Sequence, residues 1–278
     1  MMAEKRQKRI ALINDMTGFG RCSIAVGLPL ISALKVQACP LPTAVLSAHT
    51  GFPKHYMNDY TQHMRPYMKN WQELGIEFDG ICTGFLGSAE QISIVIEFLE
   101  IFKTEKTMIL LDPVMGDHGK IYSSYTTEMC KGMRRLLAYA DLATPNLTET
   151  CELLDIDYPE NGVVSDEELL AMAKALCAKG PGQVVITGLS RGKELHNFIY
   201  ERDKGSHLVR VPKIGGDRSG TGDAFSAIVG ASLVKGEDLT ASVEKAAAFI
   251  SKSLAYTVSL DLPWNYGICF EEFLTELK

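Results

Sequence analysis

Short apolar runs that end in polar residues organise this chain. "RIALIND" (9–15), "TAVLSA" (43–48), "GICTGF" (80–85), "TMILLDP" (107–113), "DLATP" (141–145) and "GQVVITG" (182–188) read as strands. None shows the polar alternation of a sheet with one wet face, so both faces are expected to be covered. Helical patterns separate them, at 22–35, 58–74, 88–103, 127–140 and 166–179. Segments 195–200 and 207–212 read as a hairpin, and 220–236 and 240–258 as two further helices. Strands alternating with helices predict an α/β fold: a mainly parallel central sheet with helices on both faces. Pro29 and Pro66 fall inside helical patterns and predict a kink or a late start. Ser88 with Gln91, and Asn146 with Glu149, have the spacing of a capping box.

Composition narrows the function classes. The 278 residues are 46% hydrophobic and 22% charged, enough for one substantial core. With no linker in view, residues 1–278 are expected to form a single domain, with 1–8 disordered. A net charge of −6 argues against a nucleic-acid partner. No run of 18 apolar residues appears, so no membrane span is expected, and the short apolar run after "MMAEKRQKR" does not suit a signal peptide. The seven cysteines form no CxxC pair and read as free thiols in a reducing compartment, which predicts a soluble cytoplasmic protein.

In parallel sheets, ligands bind beyond the carboxyl ends of the strands. Polar residues collect there: Asn14-Asp15, His49-Thr50, Thr83-Gly84-Phe85, Asp112, Thr144-Pro145-Asn146 and Thr187-Gly188. "GGDRSGTGDAFSA" (215–227) places glycines directly before a helix, with Asp223 at its mouth. A helix N-terminus presents unpaired N–H groups and partial positive charge, and glycine lets a phosphate come close. An acid beside them can take a proton from an attacking hydroxyl. In "DPVMGDHGK" (112–120), Asp112 and Asp117 bracket a loop in a way that suits Mg²⁺. No GxxxxGK[ST], HExxH or GxSxG occurs, and the histidines show no metal-ligand spacing and read mostly as surface residues.

These stretches resemble the pyridoxal kinase branch of the ribokinase-like superfamily. "GTGDAFSA" matches the superfamily's signature, and "TAVLSAHTG", "GICTGFLGSAEQ", "LLDPVMGD" and "DLATPNLTE" follow the branch in order and spacing, over about residues 9–258. The resemblance implies a kinase that transfers the γ-phosphoryl group of ATP to the 5′-hydroxymethyl group of pyridoxal, pyridoxine or pyridoxamine, salvaging vitamin B6 to pyridoxal 5′-phosphate. It implies Mg²⁺, a monovalent cation such as K⁺, and a homodimer. By position, Asp223 would be the base and Gly220, Thr221 and Gly222 the anion hole. Asp117 and Glu149 would lie by the metal, and Asp112, Thr144, Asn146 and Thr187 by ATP. Asp15, Thr43 and Phe85 would line the vitamin pocket with Asp223, and the loop from Gly116 to about Tyr125 would close over the phosphates. The chain departs from the branch at Asn14-Asp15, where serine is common, at Phe85, where tyrosine is common, at Gly188, and at Arg218-Ser219. A hydroxymethylpyrimidine kinase is the alternative enzyme, although cysteine often replaces the signature aspartate there. A non-catalytic vitamer carrier is a rival from another class, and an intact Asp223 counts against it.

Overall fold

Alternate residues of the first strand, β1 (Arg9–Thr17), enter different cores. Ile10 and Leu12 pack on one face of the sheet with Leu30, Ile228 and Val243, while Ala11 and Ile13 pack on the other with Phe98, Met133 and Leu176. That two-sided burial is what strands without polar alternation require. The protein is described here by a computed structural model covering residues 6–277. The other strands are β2 (Gln37–Leu46), β3 (Met57–Asp59), β4 (Gly80–Thr83), β5 (Met108–Leu111), β6 (Gly116–Asp117), β7 (Lys120–Ile121), β8 (Leu142–Ala143), β9 (Gln183–Arg191), β10 (Glu194–Glu201) and β11 (Gly205–Pro212). The helices are α1 (Ser23–Ala33), α2 (Thr61–Glu73), α3 (Ala89–Phe102), α4 (Thr127–Leu136), α5 (Leu147–Leu154), α6 (Asp166–Cys177), α7 (Thr221–Val234) and α8 (Leu239–Ser259).

Nine strands form one sheet in the order β11-β10-β9-β8-β5-β4-β1-β2-β3. The pairs from β9 to β2 are parallel, and the antiparallel pairs lie at the two margins, β9–β10–β11 and β2–β3. The expected mainly parallel sheet is therefore present, with α1, α7 and α8 on one face and the remaining helices on the other. Because β1, β4, β5, β8 and β9 run the same way, Asn14, Thr83, Asp112, Thr144 and Thr187 gather along one edge.

Local expectations hold with informative exceptions. Pro29 and Pro66 lie inside continuous helices, where buried neighbours such as Leu30, Ile31, Met64 and Met68 outweigh a lost backbone bond. β2 starts six residues before the expected 43 and contains Pro40 and Pro42. β3 covers only Ala44–Leu46, so the prolines sit on an edge where a missing N–H costs little. The Ser88 cap forms, but Gln91 does not close the box; its side chain instead accepts from Gly87 N and donates to the Thr43 carbonyl and the Thr61 hydroxyl. The histidines read mostly as surface residues, and His196 is an exception at 5% exposed. The expected disorder of residues 1–8 fails for 6–8: Arg6 and Lys8 pair with Asp79, and the Gln7 amide donates to the Lys35 carbonyl at 2.9 Å. Residues 1–5 lie outside the described residues. Among the described residues no helix is long and apolar enough to cross a membrane.

Candidate active site

The first turn of α7 carries no side-chain cap. Its first intrahelical bond runs from Ala224 N to the Gly220 carbonyl, so the N–H groups of Thr221, Gly222 and Asp223 precede the ladder. Gly220 is left-handed, with φ +81°, and a Cβ there would lie 2.1 Å from the Arg21 carbonyl oxygen. Only glycine lets the loop cross that carbonyl and present its amides outward. Asp223 projects from this turn and stays half-buried. Burial of its flanks pushes the carboxyl up to about 6, helped by nearby Asp15, while the Ser23 N–H and the Asn14 amide hold it back. It is therefore ionised at neutral pH yet basic enough to accept a proton.

Three side chains from β1 and β2 organise the surroundings of Asp223. Asn14 donates from Nδ2 to Asp223 Oδ1 at 3.0 Å, and its Oδ1 accepts from Phe85 N and Asp15 N, each at 2.9 Å. Asp15 is 5% exposed, and its two oxygens accept from the Ser23 and Thr17 hydroxyls at 2.6 and 2.5 Å. It anchors the start of α1 and raises the local negative charge, and its oxygens are already engaged by this chain. Thr43 is fully buried and donates to the Phe85 carbonyl at 2.9 Å, so it shapes the pocket through Phe85's backbone. Phe85 itself is half-buried, with its ring edge-on to Tyr125.

A second group of acids lies behind the first. Asp112 is 8% exposed and accepts from the Ser226 hydroxyl at 2.7 Å; Ser226 also meets the Thr144 hydroxyl at 3.3 Å. Burial, with Asp223 nearby, pushes the Asp112 carboxyl up to about 7. Asp112, Asp223 and Thr83, whose buried hydroxyl has no hydrogen-bond partner among the described residues, line a space of about 10 Å³. Glu149 and Asn146 form the full capping box of α5, and the second Glu149 oxygen accepts from Met115 N. Burial and the charge of Asp112 hold the Glu149 carboxyl well above its usual range. Asp117 is exposed on the β6–β7 turn. That turn is folded down: Gly119 N donates to the Thr148 hydroxyl, the Asn146 amide donates to the Gly116 carbonyl, and His118 meets Asp217 at 2.9 Å. The loop expected to close over phosphates thus lies against α5 and the segment leading into α7.

A cleft of about 470 Å³ opens beside the α7 N-terminus. Of the expected nucleotide residues, Asn146 and Thr187 line it, joined by Asp117 and Thr221, while Asp112 and Thr144 do not. Sequence reasoning missed its apolar wall, Phe225, Ala247, Ile250 and Leu254, and its one lysine, Lys213. The spacing of Ala247, Ile250 and Leu254 marks one face of α8, but a buried helix face and a cleft wall have the same pattern. Asn14 stood out only as a strand-end polar residue and Ser226 not at all; the packing alone shows the partner of each.

Comparison with known proteins places this fold in a family. The profile of the phosphomethylpyrimidine kinase family matches residues 25–265. A pyridoxal kinase of Pseudomonas fluorescens is 29% identical, over 91% of this chain and 89% of its own. A hydroxymethylpyrimidine/phosphomethylpyrimidine kinase of Haemophilus influenzae is 32% identical, over 64% and 65%. A Bacteroides thetaiotaomicron protein provisionally described as a phosphomethylpyrimidine kinase, solved with pyridoxal, is 37% identical with a TM-score of 0.94, over 98% of this chain and 96% of that one.

Proposed function

The chain belongs to the phosphomethylpyrimidine kinase family, and from that premise we propose that it transfers the γ-phosphoryl group of ATP to the 5′-hydroxymethyl group of pyridoxal, pyridoxine or pyridoxamine. The observation that carries the reading is a half-buried Asp223 on an uncapped helix N-terminus that borders a nucleotide-sized cleft. Asp223 takes the hydroxyl proton while the freed oxygen attacks the γ-phosphorus; the bond to the β-phosphate oxygen breaks and ADP leaves. The N–H groups of Thr221, Gly222 and Asp223 meet the charge that develops on the transferring group. Phe85 offers an apolar ring to the flat pyridine face.

The acids suit a cation that arrives on the nucleotide phosphates. Among the described residues no group of three His, Cys, Asp or Glu could hold a metal by itself. Mg²⁺ asks for few protein carboxylates and keeps its remaining positions for water and phosphate oxygens. Asp117, exposed at the cleft, would hold it, with Glu149, whose oxygens accept from Asn146 N and Met115 N, as an acid behind it. When bound it would neutralise phosphate charge that the net −6 protein does not attract. The seven free cysteines support a cytoplasmic setting. A homodimer is the proposed assembly; Met16 and Val45, paired across β1 and β2, leave 43% and 41% of their surface exposed.

The similarity to the Haemophilus influenzae enzyme supports a second reading, a hydroxymethylpyrimidine kinase. Steady-state ADP formation decides. With Mg-ATP, kcat/KM for at least one of pyridoxal, pyridoxine and pyridoxamine is expected to exceed that for hydroxymethylpyrimidine, with no turnover in excess EDTA. The reverse ranking would move the protein to the pyrimidine branch. No phosphorylation of any of the four would leave a binding protein.

A further inference from the structure

Asn14 sits in β1, where the pairing with β2 shifts register, with every polar atom of its amide directed. Oδ1 accepts from two backbone N–H groups, Phe85 N and Asp15 N, each at 2.9 Å, and Nδ2 donates to Asp223 Oδ1 at 3.0 Å. The opposite amide orientation would set Nδ2 against two donors and Oδ1 against a carboxylate, so the network admits one orientation only. The plate is also wedged. A Cβ on Gly84 would lie 2.3 Å from Asn14 Nδ2, so the amide rests directly on a glycine backbone. Asn14 is 4% exposed, so water does not substitute for these bonds. One rigid group therefore ties the acceptor-side residue Phe85 to the carboxylate of Asp223, which lies 209 residues from Asn14 in the sequence.

We propose that Asn14 is the positioning residue of the phosphoryl transfer: its amide holds Asp223 Oδ1 and fixes the carboxylate plane relative to Phe85, so that the carboxylate is set to take the acceptor's hydroxyl proton. This deepens the reading of Asp223 as the base and rests on it. An amide N–H can donate to a carboxylate and cannot accept from a carboxylic acid, so Asn14 favours the ionised, proton-accepting form. The Asp15 carboxylate works in the other direction, as a nearby negative charge. Together with the Ser23 N–H, Asn14 keeps a crowded acid ionised where it is needed.

The test compares wild type with Asn14→Ala, Asn14→Asp and Gly84→Ala, the last displacing the amide without deleting it. For each protein, kcat against pH, KM for both substrates and the ¹³C titration of the Asp223 carboxyl are measured. Asn14→Ala and Gly84→Ala are expected to lower kcat by about 10–100-fold, the scale on which a misplaced general base acts. KM for ATP should stay within about threefold, and the acid limb and the Asp223 titration should move to higher pH. Asn14→Asp, which sets a second carboxylate against the first, is expected to give the largest shift. Should Asn14→Ala fail to fold, the near-isosteric Asn14→Asp carries the test by the same readouts. An Asp223 titration unmoved in folded variants overturns the proposal, whatever kcat does. A wild type that phosphorylates no acceptor overturns the base reading instead, and the titration still reports whether Asn14 controls Asp223.

Discussion

The N-termini of α5 and α7 meet the same site and are finished in opposite ways. At α5, Asn146 and Glu149 satisfy each other's backbone groups in a closed box, and Glu149 also ties down Met115 N. At α7 no side chain caps the helix; Gly220 turns left-handed and three amides face outward. A capped end is spent on holding the chain together, and its buried acid is costly to ionise. An uncapped end keeps its donors for a ligand and gives up local stability in return. The contrast explains why one acid of the site, Asp223, is suited to exchange a proton with a substrate while another, Glu149, is suited to stay in place.

The sharpest way to break the contrast is Asp223→Asn, which keeps the shape and removes the base. kcat is expected to fall by about 10²–10⁴-fold with ATP binding retained, as read by nucleotide-dependent shifts in Tm. Stability should change the other way. The Asp223 carboxyl is raised from 3.8 to about 6 in the folded protein, so its contribution is fully present below pH 3.8 and lost as pH rises through 6. At pH 8 the uncharged variant should therefore melt higher than wild type, by up to about 3 kcal/mol. A lower Tm, or near-normal turnover, would remove Asp223 from the role assigned to it.

Proton activity probes the same end without mutation. kcat/KM should fall about tenfold per pH unit below the Asp223 value of about 6, because only the ionised base accepts a proton. A profile flat to pH 5 would mean that proton transfer is not limiting. Gly222→Ala sharpens the comparison further. Its Cβ meets nothing within 4 Å, so the helix should gain about 0.5–1 kcal/mol in stability. The added methyl sits on the amides themselves, so kcat/KM for ATP should nonetheless fall by about tenfold or more. Gain in both would show that the phosphates bind elsewhere. The smallest effect belongs to α5: Asn146→Ala removes a cap and should cost about 1 kcal/mol in Tm measurements, with kcat changed by less than about tenfold. If Asn146→Ala costs activity as Asp223→Asn does, the two ends are not finished for different purposes.

Much of this was legible locally. The strand runs, the helices between them and the polar residues that end each strand follow from period and composition, and the sheet carries them where expected. The Asn146–Glu149 box could be read from its spacing, since both partners lie in one turn. The Ser88–Gln91 box has equal spacing and did not close, because Thr43 and Thr61 offered Gln91 buried partners from other elements. The same competition gives Asp15 and Thr43 partners that spacing does not show: the Ser23 and Thr17 hydroxyls for Asp15 and the Phe85 carbonyl for Thr43.

By itself the sequence determined the alternation that makes a parallel sheet, the strand-end edge where chemistry collects, and the glycines that free the α7 amides. These are properties of neighbouring residues, set by side-chain period and by backbone freedom. Tertiary structure alone decided which carboxylates share a site and which hydroxyl or amide each receives. Asn14 reaches Asp223, Ser226 reaches Asp112, and His118 reaches Asp217 across 209, 114 and 99 residues. The physical reason is that parallel crossovers bring distant strand ends to one edge, where the charge, burial and hydrogen bonds that tune an acid come from residues with no local relation to it.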